Sequence, residues 1–208
     1  MRAKNLTDII ESFKNREHHV LGRENFFQSA VLLPLVPKDD DLHVLFEVRA
    51  RHLKRQPGDI CFPGGRKEDG DKTLLDTAVR ETAEELGITK EGIEVIAPLD
   101  YLVTPFSSIV YPYLGLIRNP EEIVVNKGEV ERVFTVPLSF FQQAEPQRYD
   151  LAIEVKPQDD FPYHLIEKGK NYDWRTGTFP EYFYFYGEEV IWGLTARIMQ
   201  HFLKEMGD

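Results

Sequence analysis

Three glutamates on one predicted helix are the residues whose types and spacing best suit chemistry. The segment from Arg80 to Gly87 places Glu81, Glu84 and Glu85 within an arc of about 100° on one helix face. Carboxylates three and four residues apart repel one another unless positive charge lies among them. Arg80 can balance part of this charge, and Mg²⁺ or Mn²⁺ would balance more, because hard cations take oxygen ligands and bridge to phosphate. The spacing indicates a divalent-cation site, with a solvated acidic face as the alternative.

Two blocks of opposite charge lie next to each other in this part of the chain. From Arg49 to Lys67 there are six bases and one acid, and from Glu68 to Glu85 there are seven acids and two bases. Such a pairing suits a site that holds cations and a polyanion together. The candidate phosphate-binding residues are cations of the first block, namely Arg49, Arg51, Lys54, Arg55 and Arg66. A solvated basic loop is the alternative.

Hydrophobic periodicity predicts the elements that must position these residues. Helical spacing predicts a helix at about 3–16, the acidic helix at Leu74–Leu86 between Thr73 as N-cap and Gly87 as its end, and a closing helix at about 188–204. Apolar runs predict strands at Phe27–Val36, His43–Val48, Val95–Leu102, Ile109–Ile117, Glu131–Val136, Tyr149–Val155 and Phe161–Ile166. The first two strands are expected to form a hairpin. The pattern predicts one α+β domain spanning residues 1–208.

Composition excludes several functional classes. The chain has 208 residues, of which 42% are hydrophobic and 29% charged, the balance of a soluble globular protein. Its net charge of −10 argues against nucleic-acid binding, since contact with a phosphate backbone requires a basic surface. No apolar run approaches the roughly 20 residues of a membrane span. We therefore expect neither nucleic acid nor membrane as a partner.

The cysteine content and the chain ends give an expectation for localisation. Cys61 is the only cysteine, so no internal disulfide can form, and a small buried hydrophobic role is expected for it. The first residues lead into a charged segment, not an apolar signal core, and the last three residues are neither a peroxisomal nor a reticulum-retention tripeptide. These features predict a cytoplasmic protein.

The stretch from Gly65 to Ile88 resembles the Nudix box, Gly-x5-Glu-x7-Arg-Glu-U-x-Glu-Glu-x-Gly-U, where U is a bulky aliphatic residue. Its second half is in register, with Arg80, Glu81, Glu84, Glu85, Gly87 and Ile88 at the matching positions. Thr82 replaces one aliphatic residue. The upstream glutamate position falls on Asp71 when counted forward from Gly65 and on Lys72 when counted back from Arg80. One extra loop residue, with Asp71 standing in for the glutamate, is the simplest interpretation.

A second motif resembles the signature of the coenzyme A pyrophosphatase branch of this family. The signature is Leu-Leu-Thr-x-Arg-Ser/Ala-x3-Arg-x3-Gly-x3-Phe-Pro-Gly-Gly, and the chain matches it from Arg49-Ala50 through Gly58 to the Phe62–Gly65 segment. Phe46-Glu47 replaces Leu-Thr, and Lys54 replaces the second arginine, which keeps the charge but removes bidentate phosphate recognition. The segment Trp192–Thr195 is similar to one common near the end of this branch.

The resemblance implies a Nudix-type α/β/α sandwich with a mixed sheet, and a metal-dependent pyrophosphohydrolase that uses Mg²⁺ or Mn²⁺. It implies Glu81, Glu84, Glu85 and the Gly65 carbonyl as metal ligands, with Arg80 orienting a glutamate. The expected substrates are coenzyme A and its thioesters, cleaved to adenosine 3′,5′-bisphosphate and 4′-phosphopantetheine or its acyl form. The partner is thus a small nucleotide, and the chain is expected to be a monomer or homodimer.

The general base and the substrate stay open at this point. Family members draw the base from the helix or from a later loop, and Glu129 is the candidate here, with Glu131 beside it; an ordinary strand-edge glutamate is the alternative. A hydrolase of ADP-ribose or another nucleoside diphosphate derivative is the rival enzyme. A catalytically silent nucleotide sensor is the rival from another class.

Overall fold

The structure is a computed structural model that describes residues 5–207. Its helices are α1 (Leu6–Phe13), α2 (Leu74–Leu86), α3 (Leu138–Gln143) and α4 (Gly193–Met206). Its strands are β1 (Phe27–Lys38), β2 (Asp41–Arg49), β3 (Ile60–Cys61), β4 (Gly64–Arg66), β5 (Ile93–Pro98), β6 (Leu102–Thr104), β7 (Ser108–Ile117), β8 (Val130–Pro137), β9 (Gln147–Ile153), β10 (Gly177–Tyr186) and β11 (Glu189–Trp192). The start of the helix predicted at about 3–16 lies outside the described residues. No helix within residues 5–207 is long and apolar enough to span a membrane.

A tight hairpin joins β1 to β2, as predicted. Lys38 pairs with Asp41, so the loop holds two residues, Asp39 and Asp40. Their φ angles of 51° and 60° are left-handed, which gives a two-residue turn the twist that antiparallel strands need. Aspartate tolerates this conformation better than most residues, because its short side chain can bond locally. The turn fixes the register of the two strands that flank the candidate site.

The central sheet is mixed, as predicted. Its strands follow the order β3-β2-β1-β7-β5, with β4 paired to β1, β6 to β7 and β8 to β2. Strands β1 and β7 run parallel, from the pair Phe27–Ser108 to the pair Leu35–Leu116, and the other pairs are antiparallel. A separate three-stranded antiparallel sheet has the order β11-β10-β9.

Helices cover both faces of the central sheet. Side chains alternate between the two faces along each strand, and both faces carry buried apolar residues that pack against helices. Leu32 of β1 packs with Ala83 of α2 on one face, and Leu45 of β2 packs there with Leu86. The opposite face carries a larger core, which buries Leu33, Val44, Phe46, Phe141, Ile198, Met199 and Phe202. The latter core includes residues of α3 and α4. The predicted α/β/α sandwich is therefore confirmed.

Three element predictions were wrong in detail, each for a local reason. The predicted strand Phe161–Ile166 contains Pro162, which cannot donate to a sheet, and forms a loop with a 3₁₀ turn at Tyr163–Leu165. The predicted strand Val95–Leu102 is interrupted after Pro98, and pairing to β7 resumes in β6. The closing helix begins at Gly193 and not near 188, since residues 189–192 form β11.

Replacing Phe46 tests the core beneath the sheet. The ring is fully buried and stacks on Phe62 and Phe134, with centroids 5.1 and 5.5 Å away. We expect Phe46→Ala to lower the free energy of unfolding by about 3–5 kcal/mol, the usual loss for a buried phenylalanine. Urea denaturation followed by circular dichroism measures this. Phe185→Ala, at a ring 49% exposed on β10, is the matched control and should lose far less; equal losses would contradict this packing.

Candidate active site

Helix α2 has the predicted bounds because both of its ends are capped. The Thr73 hydroxyl accepts the Asp76 N–H at 3.1 Å, and the Asp76 carboxylate accepts the Thr73 N–H at 2.8 Å. This reciprocal pair is a capping box, which satisfies two backbone donors at the start of the helix. At the other end Gly87 adopts a φ of 64°, and a Cβ there would overlap the carbonyl oxygen of Val124. The caps fix the three glutamates relative to the sheet.

Asp71, not Lys72, occupies the upstream acidic position. Its carboxylate accepts two hydrogen bonds from Arg80, Nε to Oδ1 at 2.9 Å and Nη2 to Oδ2 at 2.9 Å. The Thr77 hydroxyl donates to it at 2.9 Å and the Glu68 N–H at 3.0 Å. Hydrogen bonding to the Arg80 guanidinium therefore holds the pKa of Asp71 well below its usual range. Lys72 is exposed, whereas Asp71 is buried. The extra loop residue therefore places the aspartate against Arg80 and the lysine in solvent.

Arg80 orients two of the helix glutamates. Its Nη2 lies 3.0 Å from Glu81 Oε1, and its Nη1 lies 3.2 Å from Glu84 Oε2. The same guanidinium donates to the carbonyl of Arg66 at 3.3 Å. The side chain of Glu84 is 55% exposed, whereas that of Glu81 is mostly buried. Since Arg80 is itself fixed by the aspartate, both carboxylates are held in defined positions.

Glu85 is buried more deeply than the sequence predicts. The residue is 3% exposed, where a half-buried position was expected, and its Oε2 accepts the Gly64 N–H at 2.8 Å. Gly64 has a φ of 152°, and a Cβ there would overlap the carbonyl of Ala30. A Cβ on Gly65 would overlap the carboxylate of Glu81. The two glycines therefore let the backbone of β4 approach the carboxylates, as the Pro-Gly-Gly turn indicated.

Glu47 is a site residue that the sequence analysis did not identify. It lies on β2 on the same face as Leu45, which is the face that packs against α2, and it is fully buried. Its Oε1 accepts the Cys61 S–H at 3.2 Å, so this half-buried cysteine has a polar partner as well as apolar neighbours. Glu47 Oε2 is buried and has no hydrogen-bond partner within residues 5–207. The signal in the sequence that could have identified Glu47 is that it is the only acidic residue in the apolar predicted strand His43–Val48.

Burial and mutual repulsion act on these carboxylates together. Desolvation raises the pKa of Glu47 and of Glu85 above the ordinary value, and the charge of Glu47 raises the pKa of Glu85 further. Burial also raises the pKa of Glu81. The Gly64 N–H works in the opposite direction on Glu85, but its effect is smaller. Such a cluster disfavours its own ionised form unless positive charge enters.

Glu129 faces the same cluster from the loop before β8. Its charge raises the pKa of Glu47, Glu81 and Glu85. The Glu129 carbonyl accepts the Ala50 N–H at 2.8 Å, which ties this loop to the end of β2, while its side chain is exposed. Of the two later glutamates considered, Glu129 is the one whose charge acts on the cluster.

The candidate cations occupy different surroundings. Arg49 lines the cleft beside the glutamates, and its Nε is buried without a hydrogen-bond partner within the described part of the chain. The Arg66 guanidinium lies over the Phe27 ring, 4.4 Å from the centroid. The remaining three are exposed on the loop between β2 and β3, namely Arg51, Lys54 and Arg55. The structure therefore brings Arg49 into the site and leaves those three on the surface beside it.

A cleft of about 460 Å³ opens beside the carboxylates. One wall includes Gly64 and Gly65, and the other comes from the second sheet and the start of α4, through Phe179, Glu181, Trp192 and Leu194. Glu181 Oε2 is buried with no partner within residues 5–207, and burial raises the pKa of Glu181. The sequence analysis did not identify this second wall, because its residues lie far along the chain from the acidic helix.

The donor set fits a divalent cation. Glu47, Glu81, Glu84 and Glu85 offer only oxygen ligands, which Mg²⁺ and Mn²⁺ prefer. The unpartnered oxygen of Glu47 and the raised pKa values indicate that the chain itself supplies too little positive charge. Gly65 pairs with Ala30 in the ladder between β4 and β1, and the predicted role of its carbonyl as a metal ligand stays a prediction.

The fold and this carboxylate site define a Nudix domain, and the family model for the NUDIX domain matches residues 27–154. The chain therefore belongs to the Nudix hydrolase family. Similar proteins include the peroxisomal coenzyme A diphosphatase NUDT7 of Mus musculus, with 36% identity over 66% of this chain and 58% of that protein. The peroxisomal coenzyme A diphosphatase ndx-8 of Caenorhabditis elegans is 39% identical over 55% of this chain and 50% of that protein.

A bacterial relative is similar over more of the chain. The uncharacterized Nudix hydrolase NudL of Photorhabdus laumondii is 32% identical over 88% of this chain and 87% of its own length. In contrast, the matches to the two animal proteins span between one half and three fifths of those proteins. The second wall of the cleft, from Phe179 to Leu194, lies outside the residues that the family model matches.

The pair of Asp71 and Arg80 predicts a defined pH dependence of stability. The pKa of Asp71 is lowered in the folded state, so the pair stabilises the fold at every pH above the ordinary aspartate pKa of about 3.9. That stabilisation decreases as the pH falls from this ordinary value towards the lower folded one, because the unfolded chain then binds a proton that the folded chain does not. We expect Asp71→Asn to reduce the free energy of unfolding at pH 7, and the difference from wild type to shrink in acid.

Urea denaturation of both proteins between pH 7 and pH 2.5 measures this difference. Lys72→Gln is the matched control, since it changes the neighbouring exposed charge, and it should leave stability nearly unchanged. A loss in Asp71→Asn that stays constant down to the lowest pH would contradict the ion pair as its cause.

Proposed function

We propose that this chain is a metal-dependent pyrophosphohydrolase that cleaves coenzyme A and its thioesters to adenosine 3′,5′-bisphosphate and 4′-phosphopantetheine or its acyl form. One observation carries the proposal. The Glu81 and Glu85 carboxylates lie against the Gly64-Gly65 backbone, beside a cleft that is also lined by Arg49, whose Nε is buried without a partner within residues 5–207. A pyrophosphate with its cation needs acidic and basic groups in one place.

The helix residues would hold the cation and keep its ligands in position. Glu81, Glu84 and Glu85 provide the oxygens, Arg80 fixes the first two, and the Gly64 N–H fixes the third. Asp71 acts through Arg80 and is a positioning residue. A bound divalent cation neutralises phosphate charge and lowers the pKa of a water ligand.

Glu129 is the proposed general base. Its side chain is exposed on a loop facing the cluster, so it can reach a water beside the substrate without breaking a described contact. It would accept the proton as the water oxygen bonds to one phosphorus. The bond from that phosphorus to the bridging oxygen breaks, and the other phosphate leaves with that oxygen.

Two features favour coenzyme A among pyrophosphate substrates. The basic loop that holds Arg51, Lys54 and Arg55 is adjacent to Arg49, and coenzyme A carries a 3′-phosphate that such cations would bind. The two animal relatives are both named coenzyme A diphosphatases. An ADP-ribose hydrolase would have no use for this additional positive charge.

Product analysis tests the proposal directly. The purified chain is incubated with coenzyme A in Mg²⁺, in Mn²⁺ and in chelator, and the nucleotides are separated by chromatography. We expect adenosine 3′,5′-bisphosphate in either metal and none in chelator. AMP from ADP-ribose without any product from coenzyme A would contradict the substrate, and no product from either would contradict the activity and favour a sensor.

A substrate pair tests the role of the basic loop. We expect kcat/KM for coenzyme A to exceed that for its 3′-dephospho form by at least ~10-fold, since one charge-assisted contact contributes roughly 1.5–3 kcal/mol. The advantage should shrink when Arg51, Lys54 and Arg55 are replaced by alanine together. Equal values for the two substrates in the wild type would contradict phosphate binding by this loop.

Substitution of Glu84 tests the acidic helix. Glu84→Gln keeps the shape of an exposed side chain, so the fold should be retained while turnover falls by at least ~10²-fold. Steady-state kinetics at saturating Mg²⁺ measures the fall, with Glu131→Gln on β8 as the control for loss of a nearby exposed carboxylate. Near-wild-type turnover would remove Glu84 from the metal site.

A further inference from the structure

Glu47 is the most deeply buried carboxylate of the site, and nothing in the Nudix box accounts for it. The residue is fully buried on β2, opposite Cys61 of β3 in the sheet register. One of its oxygens accepts the cysteine S–H, a weak donor, and the other oxygen is buried without a partner. A buried acceptor left without a donor is destabilising, so an unpaired oxygen at this depth requires an explanation.

No cation of the described chain neutralises Glu47. Arg80 lies near the cluster, but Asp71, Glu81 and Glu84 already occupy its guanidinium. Arg49 exerts a favourable electrostatic effect on Glu47, yet no ion pair joins the two within residues 5–207. A cation that pairs with this oxygen would therefore come from outside the chain.

The direction of the Glu47 side chain points to the same conclusion. Residues 45 and 47 of β2 share the sheet face that packs against α2, and the buried Glu85 of α2 lies on that face. Cys61, which donates to Glu47, and Gly64, which donates to Glu85, line the same cleft, so the two carboxylates lie behind one opening. A shared cation would offset the repulsion between two buried carboxylates.

We propose that Glu47 is an additional ligand of the divalent cation, and that its free oxygen joins Glu85 in holding it. The proposal rests on the proposed function, since it assumes that the helix glutamates bind a metal. The cation would then have one ligand on the central sheet, Glu47 of β2, in addition to its ligands on α2. The cation would then join β2 to α2 across the sandwich, where apolar packing alone acts at Leu45 and Leu86.

Direct metal binding tests this ligand without reference to turnover. Mn²⁺ is titrated into chelator-treated wild type, Glu47→Gln and Glu181→Gln, and free Mn²⁺ is followed by electron paramagnetic resonance. Glu181 is the matched control, since it also has a buried, unpaired carboxylate oxygen but lies on the cleft wall formed by the second sheet and α4. We expect the Mn²⁺ affinity of Glu47→Gln to be at least ~10-fold weaker and that of Glu181→Gln to equal wild type.

The outcomes separate this inference from the proposed function. If the wild type binds no Mn²⁺, the metal-dependent function itself is wrong. If the wild type binds and Glu47→Gln binds equally well, the function stands and Glu47 is a structural group paired with Cys61. An equal weakening in Glu181→Gln would also overturn the inference, because the effect would then follow from cleft charge in general.

Folding of the variants is checked in the same samples by thermal circular dichroism in chelator. Should Glu47→Gln fail to fold, Glu47→Thr provides the test, because threonine also removes the carboxylate and is favourable in a strand. Weakened Mn²⁺ binding by a folded threonine variant supports the proposal, and unchanged binding overturns it.

Discussion

The site is built around buried negative charge that the chain does not neutralise. Glu47 and Glu85 lie at the interface of the central sheet and α2, in surroundings where an isolated carboxylate is costly. The arginine that could balance them, Arg80, is held by Asp71 and by the more exposed glutamates. Under the proposed function, a cation, and with it a polyanion, would offset this imbalance.

Much of the local structure serves to keep those carboxylates in place. The capping box at Thr73 and the left-handed Gly87 fix the ends of α2, while Gly64 and Gly65 bring the backbone of β4 against its glutamates. The sandwich supplies the rigidity, since both faces of the sheet are packed. The cleft is completed by the second sheet and α4, through residues beyond the matched Nudix domain.

The sequence predicted the acidic helix closely, because its signals are local. A cap, a helical apolar pattern and a terminal glycine lie within Thr73–Gly87, and the observed bounds agree. The mixed sheet and its sandwich followed from the resemblance to the family, not from periodicity. The strand predicted at Phe161–Ile166 was wrong because its aromatic residues pack within a loop, where Phe161 and Tyr163 meet edge to face at 5.0 Å.

Contacts between segments that are distant along the chain could not be predicted from the sequence. Glu47 is separated from Glu85 by 38 residues, and only the sandwich shows that a single acid in a strand faces the helix. Burial of Glu85 was underestimated for the same reason, because helix geometry alone cannot say how closely β4 approaches. The one-residue offset in the Nudix box was resolved by Arg80, whose guanidinium selects Asp71 over Lys72.

The most direct test of the central claim is the thermal unfolding of the wild-type chain in chelator and in increasing Mg²⁺, with Na⁺ at matched ionic strength as the control. If the buried carboxylates form a cation site, Mg²⁺ will raise the melting temperature in a saturable manner that Na⁺ does not reproduce, because a ligand that binds the folded state stabilises it. The same melting temperature in Mg²⁺, Na⁺ and chelator would contradict the account.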